Sequence, residues 1–191
     1  MYKSIYLFRH GQTHFNKAKR FTGDVDSKLT DRGKKDAKTV AKKLKGKNFE
    51  IAYYTHLSRS KDTLKEVLKF HPECKKLIED DRIIERDYGD LKKKYHKTVI
   101  LKYGQEQFDV WHRSYDQPPP GGESIKDVEK RVNAFIKDLL KYMKKHKVNV
   151  AISAHGNSMR PFRKYFEKLT TKKMMSLENP YDEYFEYRVK V

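Results

Sequence analysis

Arg9, His10 and Gly11 stand together at the end of a short apolar run, residues 5–8, and their chemistry is that of an anion site. Imidazole serves as nucleophile or proton carrier, guanidinium grips oxyanions through paired hydrogen bonds, and glycine lets the backbone come close to a ligand. Other chemistry-bearing residues close similar runs: Arg59 follows residues 49–55, Glu85 follows 77–84, and His155 follows 148–153. Singly these are ordinary. Glu85 has Arg82 and Arg86 close by as ion-pair partners, and His155 also reads as a hydrogen-bonded core histidine.

The elements that must position them follow from hydrophobic period. Four apolar, β-prone runs alternate with segments of helical period: Ala37, Val40, Ala41 and Leu44 behind a Thr30 cap; Leu64, Val67 and Leu68 behind Ser58 or Ser60; and Ile125 to Met143 behind a Ser124/Asp127 capping box. Residues 92–111 read as helical pieces broken at Gly104, Pro118, Pro119 and Pro120 with Gly121 and Gly122 force a loop, and a helix is expected from Ser158. Residues 183–191 alternate Phe185, Tyr187, Val189 and Val191 as a last strand. This order predicts an α/β fold: a three-layer α/β/α sandwich whose central sheet is mostly parallel with an antiparallel edge strand. Ligands of such sheets bind at the carboxyl ends of the strands, where the four polar clusters then converge.

Length and composition narrow the rest. The 191 residues suit one domain, 1–191, with 37% apolar residues in short periodic segments. No apolar run approaches a membrane span and no signal-peptide pattern opens the chain, so a soluble, cytoplasmic protein with no membrane partner is expected. The single Cys74 rules out an intrachain disulfide, and no His/Cys/acid cluster has metal-ligand spacing in sequence, so no metal is expected. The 44 basic against 26 acidic residues give a net charge of +18, which favours anionic partners. The lysines spread along helical faces without interleaved aromatics, and a solvated surface is favoured over nucleic-acid binding.

Taken in order, the chain carries R-H-G-Q-T-H-F-N from Arg9, R-F-T-G from Arg20, L-T-D-R-G from Leu29, Arg59, E-R-D-Y-G-D-L from Glu85, Y-G-Q-E-Q from Tyr103, W-H-R-S-Y-D-Q-P-P-P from Trp111, G-G-E-S from Gly121 and A-H-G-N-S-M-R from Ala154. Together these motifs resemble the histidine phosphatase superfamily, and within it the phosphoglycerate mutases that use 2,3-bisphosphoglycerate. The resemblance implies a phosphoglycerate mutase-like fold and a phosphoryl group carried covalently on His10. Arg9, Arg59 and His155 would form the phosphate pocket, and Glu85 would be the acid and base. Thr13, Asn16, Thr22, Gly23, Tyr88, Arg113 and Asn157 would hold phosphate or the glycerate carboxylate. It further implies 2,3-bisphosphoglycerate as priming donor, no metal, a small anionic phosphorylated substrate and variable homo-oligomer contacts. Phosphomonoesterase chemistry through the same phosphohistidine is the alternative activity.

Two departures bear on substrate binding. His96 stands where these mutases place a lysine, and His112 where they place the first of two arginines. Each replaces a permanent cation with a group that titrates near neutrality, so substrate affinity is expected to weaken above neutral pH. No insertion precedes G-G-E-S, and the C-terminal tail that helps larger mutases close is expected to be missing too, from which more leakage to hydrolysis is expected.

Overall fold

The computed structural model describes residues 1–191. In chain order the elements are β1 (Tyr2–Arg9), α1 (His14–Lys17), α2 (Asp31–Leu44), β2 (Ile51–Tyr54), α3 (Ser58–Leu68), β3 (Lys76–Glu79), α4 (His96–Tyr103), α5 (Gln105–Arg113), α6 (Ile125–His146), β4 (Val150–Ala154), α7 (Gly156–Glu167), α8 (Thr171–Met175) and β5 (Tyr184–Lys190). The strands form one sheet in the order β3-β2-β4-β1-β5. The first four are parallel neighbours, and β5 runs antiparallel along β1 at the edge, as the chain pattern predicts.

Alternation along β1 divides the core into two layers. Ile5 and Leu7 face Val128, Val132, Phe135, Ile136, Leu139 and Met143 of α6 and Met159 and Phe162 of α7. Tyr6 and Phe8 face Val40, Ala41 and Leu44 of α2 and Leu64 and Val67 of α3. Truncating a fully buried residue of either layer, such as Phe135, would cost ~3–5 kcal/mol. A third cluster, Phe21, Tyr88, Leu91, Val99 and Phe108, lies under α4 and α5.

Ends of elements depart from the periodicity in ways that matter for the site. The predicted third strand stops at Glu79. Asp80 then caps a 3-10 turn, Asp81–Ile83, through a hydrogen bond from the Arg82 amide, and this turn delivers Glu85. Neither Ser58 nor Ser60 caps α3, whose N-cap is Leu57. The Ser58 hydroxyl instead donates to Asp26, while the Ser60 hydroxyl accepts from the Thr55 amide and donates to the Ser153 carbonyl, tying β2 to β4. α7 starts at Gly156, two residues before the expected Ser158, with His155 as its N-cap. At the exit of β1, Gly11 and Gly33 sit so close that a Cβ on Gly11 would lie 2.1 Å from the Gly33 carbonyl oxygen. Only glycine permits that approach, which sets α2 against the turn that carries His10.

Candidate active site

The carboxyl ends of the parallel strands open into a cavity of about 590 Å³. Of the residues marked out by sequence, Arg9, His10, Asn16, Thr22, Gly23, Arg59, Glu85, Tyr88, His96, His112, Arg113 and Asn157 line it. His155 lies just behind, its ring centroid 5.0 Å from that of His10. Thr13 is different. Its hydroxyl caps α1, accepting from the Asn16 amide and donating to the Asn16 side chain, and the residue is not on the cavity wall.

His10 is buried, and its Nδ1 lies 2.7 Å from the Gly11 carbonyl. A carbonyl can only accept, so Nδ1 carries the proton and Nε2 keeps its lone pair. Burial, then the Arg59 and Arg9 guanidiniums, hold the His10 imidazole well below its ordinary pKa, with the Gly11 bond acting in the opposite sense. The ring is therefore neutral at pH 7, and its Nε2 lone pair is in the form a nucleophile needs.

Around it three buried nitrogens have no protein partner: Arg9 Nε, Arg59 Nε and His155 Nδ1. Both guanidiniums are anchored elsewhere. Arg59 donates to the Val25 and Gly23 carbonyls at 2.8 and 2.7 Å, and Arg9 donates to the Asn179 carbonyl at 2.9 Å. Burial lowers the Arg59 pKa to about 10, partly offset by Glu85, so it stays charged. The His155 Nε2 lies 2.8 Å from the Thr55 hydroxyl, and if that hydroxyl donates, the His155 proton sits on Nδ1. Orphaned buried polar atoms call for a partner, and two guanidinium N–H groups and an imidazole nitrogen gathered about the His10 ring fit an oxyanion.

The Glu85 carboxylate is not in an ion pair. Arg82 pairs with Asp80 and Asp138, and the Arg86 guanidinium donates to the Glu123 and His112 carbonyls. One Glu85 oxygen accepts from the Arg86 and Asn157 amides, leaving the other free for proton transfer. Donor atoms of His10, Glu85 and His155 come within 4.8 Å of one another, a spacing that a metal could use. The guanidiniums that depress both imidazoles make the locus electropositive, which suits an anion better.

The wall formed by α4, α5 and the turn after α1 differs from expectation. His112 packs against Phe21, Phe108 and His96 at centroid separations of 5.6, 5.1 and 5.2 Å. Burial, then His96 and Arg113, lower its pKa to about 4; burial and Lys19 lower that of His96. Both are thus neutral at pH 7, and the titration expected near neutrality moves to the acid side. Beside Arg9 and Arg59, permanent positive charge on this cavity comes from Lys19, Arg20, Arg113 and Arg160. Arg160, within the A-H-G-N-S-M-R motif, and residues 177–181 complete the lining, and no period or spacing in the sequence marks either for that place.

Residues 5–187 match the family model for the histidine phosphatase superfamily (branch 1). The chain belongs to that superfamily. It is 38% identical over 181 residues to the 2,3-bisphosphoglycerate-dependent phosphoglycerate mutase of Brucella melitensis, covering 93% of this chain and 88% of the relative. Its fold is shared with the alpha-ribazole phosphatase of Shigella flexneri (TM-score 0.83, 20% identity, 96% of this chain and 89% of that one). The mycobacterial glucosyl-3-phosphoglycerate phosphatase is similar too (TM-score 0.81, 21% identity, 98% and 91%). As a superfamily member the chain is an enzyme that acts on phosphorylated compounds. None of its helices is long and apolar enough to cross a membrane.

Proposed function

We propose that this enzyme interconverts 3-phosphoglycerate and 2-phosphoglycerate through a phosphohistidine on His10, with 2,3-bisphosphoglycerate as the priming phosphoryl donor. The observation that carries this reading is a cavity with two cationic regions. One is the trio of orphaned nitrogens about His10; the other includes Arg113 and Arg160, whose guanidiniums have no hydrogen-bond or ion-pair partner in the protein. A substrate bearing a second anionic group beside its phosphate satisfies both. The Brucella relative's activity agrees.

In this mechanism the neutral His10 Nε2 attacks the phosphorus in line while Arg9 and Arg59 neutralise the equatorial oxygens and the neutral His155 hydrogen-bonds to one of them through Nδ1. Glu85 gives its proton to the departing alkoxide. It then takes one from the hydroxyl that receives the phosphoryl group back. Asn16, Thr22, Gly23, Tyr88 and Asn157 would orient the glycerate. A second reading, phosphomonoester hydrolysis, is favoured by one feature: His96 and His112 are neutral where the resembling mutases carry cations, which weakens the hold on a carboxylate.

The test is to supply 3-phosphoglycerate with and without 2,3-bisphosphoglycerate and to quantify 2-phosphoglycerate and inorganic phosphate together. Isomer in large excess over phosphate, dependent on the bisphosphate, is expected. Phosphate without isomer would establish the hydrolase instead.

A further inference from the structure

The antiparallel edge strand brings an unassigned segment to the nucleophile. Because Tyr184 of β5 pairs with Phe8 of β1, the residues just before β5 arrive at the strand end where Arg9 and His10 emerge. There Asn179 is buried. Its side-chain amide donates to the Gly156 carbonyl at 2.8 Å, its side-chain oxygen accepts from Arg163 at 3.1 Å, and its backbone carbonyl holds Arg9 Nη1. Tyr181 lays its ring over the Arg9 guanidinium, 4.0 Å from the carbon to the centroid, and its centroid is 6.3 Å from that of His10. On Gly156, a Cβ would lie 3.2 Å from the same guanidinium carbon. Arg9 is thus bracketed by the Tyr181 ring, the Gly156 backbone and the Asn179 carbonyl. Tyr181 is half-buried on the cavity wall, and its hydroxyl makes no hydrogen bond in the protein.

We propose that Tyr181 is a positioning and shielding residue: it fixes Arg9 against the phosphoryl group and screens the phosphohistidine from water, so setting how the group divides between an alcohol acceptor and hydrolysis. This rests on the phosphohistidine reading above, though not on the identity of the acceptor. Hydrolysis would break the Nε2–P bond and form an O–P bond. The electron pair returns to the imidazole, the water's proton passes to Glu85, and inorganic phosphate leaves. An aromatic face over Arg9 denies that water a hydrogen-bonded approach on its side of the site, and cation–π contact holds the guanidinium where Nε stays free.

The test is quench-flow with p-nitrophenyl phosphate, in which the nitrophenolate burst reports phosphorylation and the following steady rate reports attack by water. The same runs with added 3-phosphoglycerate measure capture by an alcohol. Tyr181→Ala should slow the burst as Arg9 loses its support, yet speed water attack roughly tenfold and lower the captured fraction, while Tyr181→Phe should stay within about twofold of the parent. Tyr181 lies outside both sheet-flanking core clusters, and thermal melts check that each variant folds. Wild-type lifetime and partition in Tyr181→Ala, or a Tyr181→Phe that behaves like Tyr181→Ala, would overturn the proposal. A parent enzyme that forms the phosphoenzyme but passes nothing to 3-phosphoglycerate would instead overturn the mutase reading, leaving the comparison of lifetimes intact.

Discussion

The rings of His10 and His155 lie with centroids 5.0 Å apart at the ends of β1 and β4, two strands paired in parallel with Arg9 opposite Ala154. Both imidazoles are held well below their ordinary pKa, first by burial and then by Arg59. The consequence for stability has a definite sign. Below pH 6.5 the unfolded chain binds protons on these residues that the folded chain does not, so stability falls as pH drops, by at most ~1.4 kcal/mol per pH unit for each histidine. Thermal melts at pH 5 and 7.5 should show this loss, and inorganic phosphate should offset part of it by binding the folded state.

His112, with its pKa lowered to about 4, contributes no charge to substrate binding at neutral pH. Affinity for 3-phosphoglycerate should therefore gain nothing from this ring above pH 7. Restoring a permanent cation with His112→Arg should lower KM by roughly tenfold at pH 8 and by less near pH 5, where protonation of the parent begins to supply the charge. The ratio of the two KM values across pH 5 to 8.5 is the measurement, since ionisation of the substrate cancels in it.

Gly156 backs the Arg9 guanidinium so closely that a methyl group there would meet it at 3.2 Å. Gly156→Ala should leave the melting temperature near that of the parent while displacing Arg9 and lowering kcat/KM by about tenfold or more. Steady-state kinetics beside a thermal melt would separate the two effects.

Arg131 anchors the segment that carries Glu85, donating to the carbonyls of Arg82, Ile84 and Glu85 and to the Glu123 carboxylate. Arg131→Met would leave those acceptors short of partners and cost ~3 kcal/mol. That corresponds to a melting temperature lower by roughly 10 °C, and differential scanning fluorimetry would read it.

Much of this arrangement is legible in the chain because it is local or periodic. The run at residues 5–8 reads as a buried strand, and Ser124 with Asp127 forms the capping box that the spacing suggests. What escapes is decided by tertiary partners. The Ser58 and Ser60 hydroxyls prefer Asp26 and the sheet backbone to the helix end, and only the fold reveals those competitors. The sequence likewise marks His96 and His112 as titratable, while the packing that buries them and lowers their pKa values depends on Phe21, distant in the chain, beside Phe108 one helical turn before His112. Residues 177–181 have no apolar period at all, and the antiparallel pairing of β5 with β1 puts them over Arg9.

The central claim is that His10 Nε2 carries the phosphoryl group, and the most direct measurement is peptide mapping after brief exposure to 2,3-bisphosphoglycerate labelled with radioactive phosphate. An acid-labile, base-stable label on the peptide containing His10, discharged by 3-phosphoglycerate and absent from His10→Ala, is predicted. Turnover that persists in His10→Ala, or a label on any other residue, would contradict the account.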